Sequence, residues 1–196
     1  MFKVLAFLGI MVTSSFFAAE NKEQLEQQLA QIHERTSAAG KFAQLAKFVI
    51  ENESKASESN DSLTQQFEEM RQNQGESSLI VLRGIATKEE AEAARVYYLG
   101  VRNNLFVAEV VLTLEILALQ ASAADEEKRH EMNTHFAQTF DGMKEMLIGS
   151  HLPIPTVEKL SVATKDAAIS ARTYYAGVKD NLLGRTEAMA KGESFG

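Results

Sequence analysis

The chain of 196 residues contains no cysteine and no tryptophan, and it has two prolines, Pro153 and Pro155. The lack of cysteine excludes disulfides, thiol catalysis, thiolate metal sites and a lipid anchor on cysteine. Because proline interrupts helices, its scarcity leaves room for long helical runs. The hydrophobic share of 45% and the charged share of 24% are those of a globular domain with a core of its own.

Blocks of basic residues are also missing. Lys and Arg number 20 against 27 Asp and Glu, so the formal net charge is −7. Such a surface repels phosphate backbones and anionic lipids, and we expect no nucleic-acid partner. Phosphate loops, nucleophile elbows and catalytic triad settings are not recognisable either. The sequence therefore predicts a protein that is not an enzyme and has no cofactor.

Residues 1–19 have the layout of a secretory signal peptide. Lys3 precedes the apolar run 4–12, and small residues allow cleavage after Ala19. The run is too short to span a bilayer, and no second run of spanning length follows. We expect a periplasmic or secreted protein without a membrane span after cleavage. An uncleaved anchor is the alternative, because Phe17 stands where a small residue is preferred.

Apolar residues at helical spacing predict an all-α fold, an antiparallel bundle of four or five long helices in one domain over 20–196. A first helix covers 21–51, and a polar loop follows over 51–62. A strict heptad seam begins after Thr87, where Thr87 and Glu90 form a capping box. The segment 151–155 breaks the chain, and a last helix runs from about Thr156 to about Met189. The run 79–82 (LIVL) is the one place where a short strand competes with a helix, and the sequence shows no partner strand for it.

One helix is repeated within the chain. The segment 86–105 returns as 163–182, with 12 of the 20 positions identical. The separation of the two copies is too long for a solenoid repeat, so the sequence predicts an internally duplicated helix whose copies are neighbours in the bundle.

Each copy also carries polar side chains that could bind a ligand. Tyr97 and Asn104 lie in a stripe beside the seam of copy one, as Tyr174 and Asn181 do in copy two. Two cations seven residues apart project from one side of each helix, Arg95 and Arg102 in copy one and Arg172 and Lys179 in copy two. Cations and phenols on facing helices would surround a small anionic ligand. The alternative is that the arginines form ordinary surface ion pairs, and that Gly100 and Gly177 let helix backbones pack closely.

Two further patterns concern charged residues in helices. Glu115 lies within the heptad seam, where it must find a cation or a donor, or stay protonated. Glu127 and His130 give the Glu-x-x-His spacing of di-iron bundles, but the second pair and the additional glutamates are missing, so we predict no metal site.

These observations favour an exported, non-enzymatic helical protein that acts through protein–protein contacts, as a scaffold, adaptor or chaperone-like factor. Its partners would be other exported or envelope proteins, and self-association stays open. The alternative is a helical-bundle sensor or carrier of a small anionic ligand between the duplicated helices.

Overall fold

The computed structural model describes residues 2–74, 79–149 and 157–192, and their side chains except those of 2–20, 74 and 146–149. Its helices are α1 (Phe2–Glu51), a 3-10 turn (Glu53–Lys55), α2 (Ala56–Gln74), α3 (Lys88–Ala123), α4 (Glu126–Gly149) and α5 (Lys165–Lys191). The described ranges contain no strand. The predicted all-α class is therefore confirmed.

The chain forms two compact units. Unit 1 comprises Met1–Ala30 and Glu109–Lys179, and unit 2 comprises Gln31–Ala108 and Asp180–Gly196. Unit 2 contains the second part of α1, then α2, a non-helical segment over 79–87 and the first part of α3. Unit 1 repeats this order with the second part of α3, then α4, a non-helical segment over 157–164 and the first part of α5.

The heptad seam of α3 is buried along its whole length, as predicted. Every seam residue is at most 4% exposed, namely Ala91, Ala94, Tyr98, Val101, Leu105, Ala108, Leu112, Glu115 and Leu119. The core of unit 2 gathers around Phe42, Leu63 and Ile85, and that of unit 1 around Leu114 and Phe136. Burial of these large apolar groups is the main stabilising contribution in each unit.

The predicted polar loop over 51–62 is wrong in its second half, because α2 already begins at Ala56. Ala56 and Ser59 are each only 6% exposed and precede the fully buried Leu63 along one face of the helix. The first turns of this buried face consist of small residues. The spacing of large apolar residues, on which the helix prediction relied, does not reveal them. Ser62 therefore lies inside the helix, and its hydroxyl accepts a bond from the side-chain amide of Gln66 one turn later.

The start of the last helix is also wrong, because α5 begins at Lys165 rather than near Thr156. Thr164 caps it, accepting a bond from the amide of Ala167 at 3.1 Å. The equivalent cap of α3 is Thr87, which accepts from the amide of Glu90 at 3.2 Å as predicted. Between α3 and α4 the chain turns a corner, where Asp125 caps α4 through the amide of Lys128.

Among the described residues, α3 is long and apolar enough to cross a membrane, but 67% of its most apolar window is buried within the protein. A core helix of a soluble protein has these properties. The predicted signal peptide over 1–19 falls where side chains lie outside the description, and the predicted break at 151–155 lies outside the described residues. Both stay predictions.

Candidate functional site: two tyrosine-held segments

In unit 2, a Tyr-Tyr pair on α3 holds the non-helical segment 79–87. The Tyr97 hydroxyl accepts a bond from the amide of Val81 at 3.1 Å, and the Tyr98 hydroxyl accepts from the amide of Arg83 at 2.8 Å. The Tyr98 hydroxyl also lies 3.3 Å from the carbonyl oxygen of Arg83. Alternate residues of the segment thus turn their backbone polar groups toward α3, as an extended chain does.

An asparagine on α2 continues this alternation. The side-chain oxygen of Asn60 accepts a bond from the amide of Ile85 at 2.9 Å, two residues beyond Arg83. The amides of residues 81, 83 and 85 are therefore satisfied on the side that faces the helices. This arrangement keeps a non-helical segment ordered without a neighbouring strand.

Unit 1 contains the same arrangement on α5. Tyr174 accepts from the amide of Glu158 at 2.9 Å, and Tyr175 accepts from the amide of Leu160 at 3.3 Å. Asn133 on α4 accepts from the amide of Val162 at 2.9 Å. The offset of the sequence repeat relates each of these three amides to its counterpart in unit 2. These matching bonds are what a duplicated unit would have, and the duplication itself stays a prediction.

The second tyrosine of each pair is part of the core. Tyr98 and Tyr175 are both 0% exposed, and their rings contact Phe42 and Phe136 respectively, at centroid distances of 5.3 and 5.8 Å. Burial raises the pKa of Tyr98 to about 12, although the hydrogen bond from Arg83 opposes the rise. Burial raises the pKa of Tyr175 to about 12 as well. Both phenols are therefore neutral at physiological pH.

The first tyrosine of each pair is half-buried. Tyr97 carries the guanidinium of Arg83 over its ring at 4.9 Å, and Arg83 also donates to the carbonyl of Ala190 at 3.5 Å. Burial raises the pKa of Tyr97, against the effects of its bond from Val81 and of the Arg83 charge. The hydroxyl that we placed in a ligand stripe is thus used to hold backbone.

The predicted cations of copy one lie in unit 2. Arg95 is exposed, whereas Arg102 is half-buried and packs against Gly40, where an added Cβ would lie 3.5 Å from its Cδ. Arg102 donates to the side chain of its neighbour Asn103 at 3.4 Å. In copy two, Arg172 is half-buried in unit 1, and Asn181 is exposed in unit 2.

Asn104 and Gly100 have a packing role in unit 2. The amide of Asn104 lies 3.5 Å from the sulfur of Met189, and an added Cβ at Gly100 would lie 2.5 Å from the methyl carbon of the same methionine. Close packing therefore explains this glycine. At Gly177 an added Cβ would meet nothing within 4 Å, so close packing does not explain the second copy.

Lys179 is a buried partner of Glu115 in unit 1. The two side chains are 9% and 5% exposed, and the ammonium donates to the carboxylate at 3.0 Å. The ammonium also lies 3.5 Å from the side-chain oxygen of Gln28 on α1. The seam carboxylate of Glu115 is therefore paired with a cation. An anionic ligand at Lys179 would have to compete with this carboxylate.

Glu127 and His130 are both exposed on α4. Within the described part of the chain, no group of three or more histidine, aspartate or glutamate side chains is arranged to hold a metal ion.

Two open clefts lie within single units. In unit 1, a cleft of about 430 Å³ has Lys22 and Lys128 beside apolar residues that include Leu119 and Met132. In unit 2, a more polar groove of about 540 Å³ runs between α1 and α2, past residues that include Lys41 and Glu69.

Sequence reasoning missed the roles of Asn60 and Asn133. The separation of these asparagines along the chain is shorter than the offset of the repeat, so the repeat does not align them. The sequence also does not distinguish a phenol that holds backbone from one that binds a ligand. The available signal was the apolar, non-helical run 79–82 just before the first Tyr-Tyr helix.

Comparison with known proteins gives no relative: no family model, no curated protein and no solved structure matches this chain.

Proposed function

We propose that this protein is an exported, non-enzymatic helical protein that acts through protein–protein contacts, as a scaffold, adaptor or chaperone-like factor. The observation that supports this proposal is that three of the predicted ligand-binding side chains serve the chain's own structure. Tyr97 and Tyr174 hold backbone segments, and Lys179 neutralises Glu115. Side chains with such internal partners contribute little to a ligand site, which leaves the surface as the functional part of the molecule.

Several large apolar side chains lie on that surface. In unit 2, Val96 is 72% exposed, Phe48 45% and Leu82 37%, and in unit 1 Ile169 is 46% exposed. Single exposed apolar residues are common in soluble proteins. Val96 is nevertheless on the face of α3 opposite the buried seam, so it is available to a partner.

The test is cross-linking mass spectrometry on the tagged full chain in its own host. We expect stoichiometric capture of a protein that carries its own export signal, with cross-links to lysines of this chain. The matched control is the same chain without residues 1–19, which should not meet that partner. Recovery of a lone monomer with a bound small molecule would contradict the proposal.

A second candidate is a carrier or sensor of a small anionic ligand, and the cleft in unit 1 favours it. Two lysines flank an apolar surface there, and the volume lies within the range of small-molecule sites. Lys22 already pairs with Glu26 at 3.4 Å, whereas the side chain of Lys128 is exposed. Charge and surface together suit an anion with a short apolar chain.

Calorimetric titration with decanoate tests this second candidate. We expect Lys128→Gln to weaken binding several-fold, and Lys144→Gln, an exposed lysine on the same helix, to leave it unchanged. An equal effect of the two substitutions, or no binding at all, would exclude the cleft as a carrier site.

A further inference from the structure

Between residues 81 and 85, the segment 79–87 has its backbone hydrogen bonds on one edge only. Its inner edge donates the amides of Val81, Arg83 and Ile85 to the side chains of α3 and α2. In an extended chain the intervening residues turn their amides and carbonyls the opposite way. The amides of Leu82 and Gly84 therefore point away from the helices, and neither has a hydrogen-bond partner within the described part of the chain.

We call the edge of Leu82 and Gly84 that faces away from the helices the outer edge. The side chains along the outer edge do not shield its backbone groups from a partner. Leu82 is 37% exposed, and Gly84 is exposed and has no side chain. The equivalent residues in unit 1 are Lys159 and Ser161, and Lys159 forms an exposed ion pair with Asp141 at 2.6 Å. Lysine on an edge strand is a common device against unwanted strand pairing. The edge in unit 1 has this protection, and the edge in unit 2 lacks it.

The groups beside Leu82 and Gly84 indicate which peptide would fit. Residues directly opposite each other in an antiparallel pair place their side chains on the same face. Leu82 therefore favours an apolar residue opposite it. An added Cβ at Gly84 would lie 3.6 Å from the side-chain oxygen of Asn60 and 3.6 Å from a carboxylate oxygen of Glu90. The same oxygen of Glu90 accepts a bond from the amide of Ala86 at 3.0 Å. A lysine or arginine opposite Gly84 can still reach this carboxylate.

We propose that the outer edge of Leu82–Gly84 binds an extended segment of a partner protein by strand addition, with a basic and an apolar residue two positions apart. Main-chain bonds supply the affinity in such complexes, and the alternate side chains supply the selectivity. This inference rests on the proposed function, because it specifies the partner contact that the adaptor uses.

The probe is a fluorescent, acetylated peptide with two copies of Thr-Lys-Thr-Val, titrated with the full chain. Its control carries N-methyl groups on the lysines and valines, which removes the pairing amides and keeps the charge. We expect the methylated peptide to bind at least tenfold more weakly. A second control with glutamate in place of lysine should also bind at least tenfold more weakly.

The matched protein variants are Leu82→Pro and Lys159→Pro, at positions that the offset of the repeat makes equivalent. Proline removes the outward amide and fits an extended backbone, so the inner bonds from residues 81 and 83 are retained. We expect Leu82→Pro to weaken peptide binding at least tenfold and Lys159→Pro to change it less than twofold. Glu90→Gln should weaken binding of the lysine peptide several-fold.

If the methylated and unmethylated peptides bind equally well, charge attraction rather than backbone pairing explains the binding, and the proposal is overturned. Absence of binding would also overturn it, and so would equal effects of the two proline variants. If Leu82→Pro fails to fold, the peptide comparison on the unaltered chain still decides. Cross-linking of an exported partner in the host, without peptide binding, would refute strand addition and leave the adaptor function standing.

Discussion

At the scale of single residues, the tyrosine pairs show how one dipeptide fills two roles. Tyr98 and Tyr175 combine a ring in the core with a hydroxyl that binds backbone. Their burial follows from the heptad seam and was predictable from sequence. Their hydrogen bonds were not, because they depend on a segment that lies 15 residues away along the chain and has no helical periodicity.

Removing either buried hydroxyl should destabilise its unit. Tyr98→Phe leaves the amide of Arg83 without its 2.8 Å bond, and Tyr175→Phe does the same to Leu160. An unsatisfied buried donor costs roughly 1–3 kcal/mol, and we expect a loss of that size from each substitution in urea unfolding. Thr173→Ala on the exposed face of α5 is the control and should change stability by less than about 0.5 kcal/mol.

The same tyrosines predict a loss of stability at high pH. Their pKa values lie near 12 in the folded chain against an ordinary value of 10.0. As the pH rises from 10 toward 12, the unfolded chain loses these protons while the folded chain keeps them, so the free energy of unfolding falls. Below about pH 9 the phenols are protonated in both states and contribute no pH dependence.

The decrease should reach roughly 2–3 kcal/mol for each tyrosine, measured as the free energy of unfolding in urea against pH. Lysines also titrate in this pH range, but the variant has the same lysines as the unaltered chain, so they do not account for a difference between the two. The Tyr98→Phe/Tyr175→Phe double variant should therefore show a shallower fall than the unaltered chain. If the free energies of unfolding of the two proteins fall in parallel with pH, the two tyrosines do not have raised pKa values in the folded chain.

The buried pair of Lys179 and Glu115 should respond differently to single and double substitutions. Lys179→Met leaves the Glu115 carboxylate buried without its cation and should destabilise unit 1 by roughly 3–5 kcal/mol. The Lys179→Met/Glu115→Leu double variant should recover most of that loss, because an apolar pair needs no desolvation of charge. Lys47→Met, at an exposed pair with Glu51, is the control and should change stability by less than about 1 kcal/mol.

At the scale of elements, long helices with large apolar residues were predictable, and the helix starts were less so. The seam of α3 and the cap at Thr87 were predicted from the sequence, whereas the cap at Thr164 was not. The start of α2 was missed because its buried face begins with Ala56 and Ser59. The start of α5 was placed too early because the segment before it is held by distant side chains rather than by local propensity.

The two mid-helix glycines should behave differently although they share a repeat position. Gly177→Ala adds a methyl group to open space and should stabilise the chain by about 0.5–1 kcal/mol through helix propensity. Gly100→Ala requires the methyl end of Met189 to move, so its gain should be smaller or reversed. Thermal unfolding measures both, and Gly100→Ala combined with Met189→Ala should separate the contact from propensity. Equal shifts for the two single substitutions would refute the packing role of Gly100.

At the scale of the whole molecule, the two units share an element order that the sequence shows only as one repeated helix. The match extends to the tyrosine and asparagine bonds, which connect residues far apart in the chain. The match also has limits: Lys179 pairs with the buried Glu115 in unit 1, whereas Arg102, its counterpart in the repeat, donates to its neighbour Asn103. Internal bonds therefore follow the repeat, while the exposed edges and this ion pair do not.

Export is the whole-molecule prediction on which the adaptor proposal depends. We expect the chain from the envelope or secreted fraction to begin at Glu20, because cleavage after Ala19 removes the apolar run and Lys3. The intact mass of the purified protein measures this directly. Leu8→Arg interrupts the apolar run and should leave the full-length chain inside the cell, whereas Leu8→Ile should be processed normally. If the chain with an intact leader is found only inside the cell at full length, its partners cannot be exported proteins, and the contacts proposed for its surface would have to be sought in the cytoplasm.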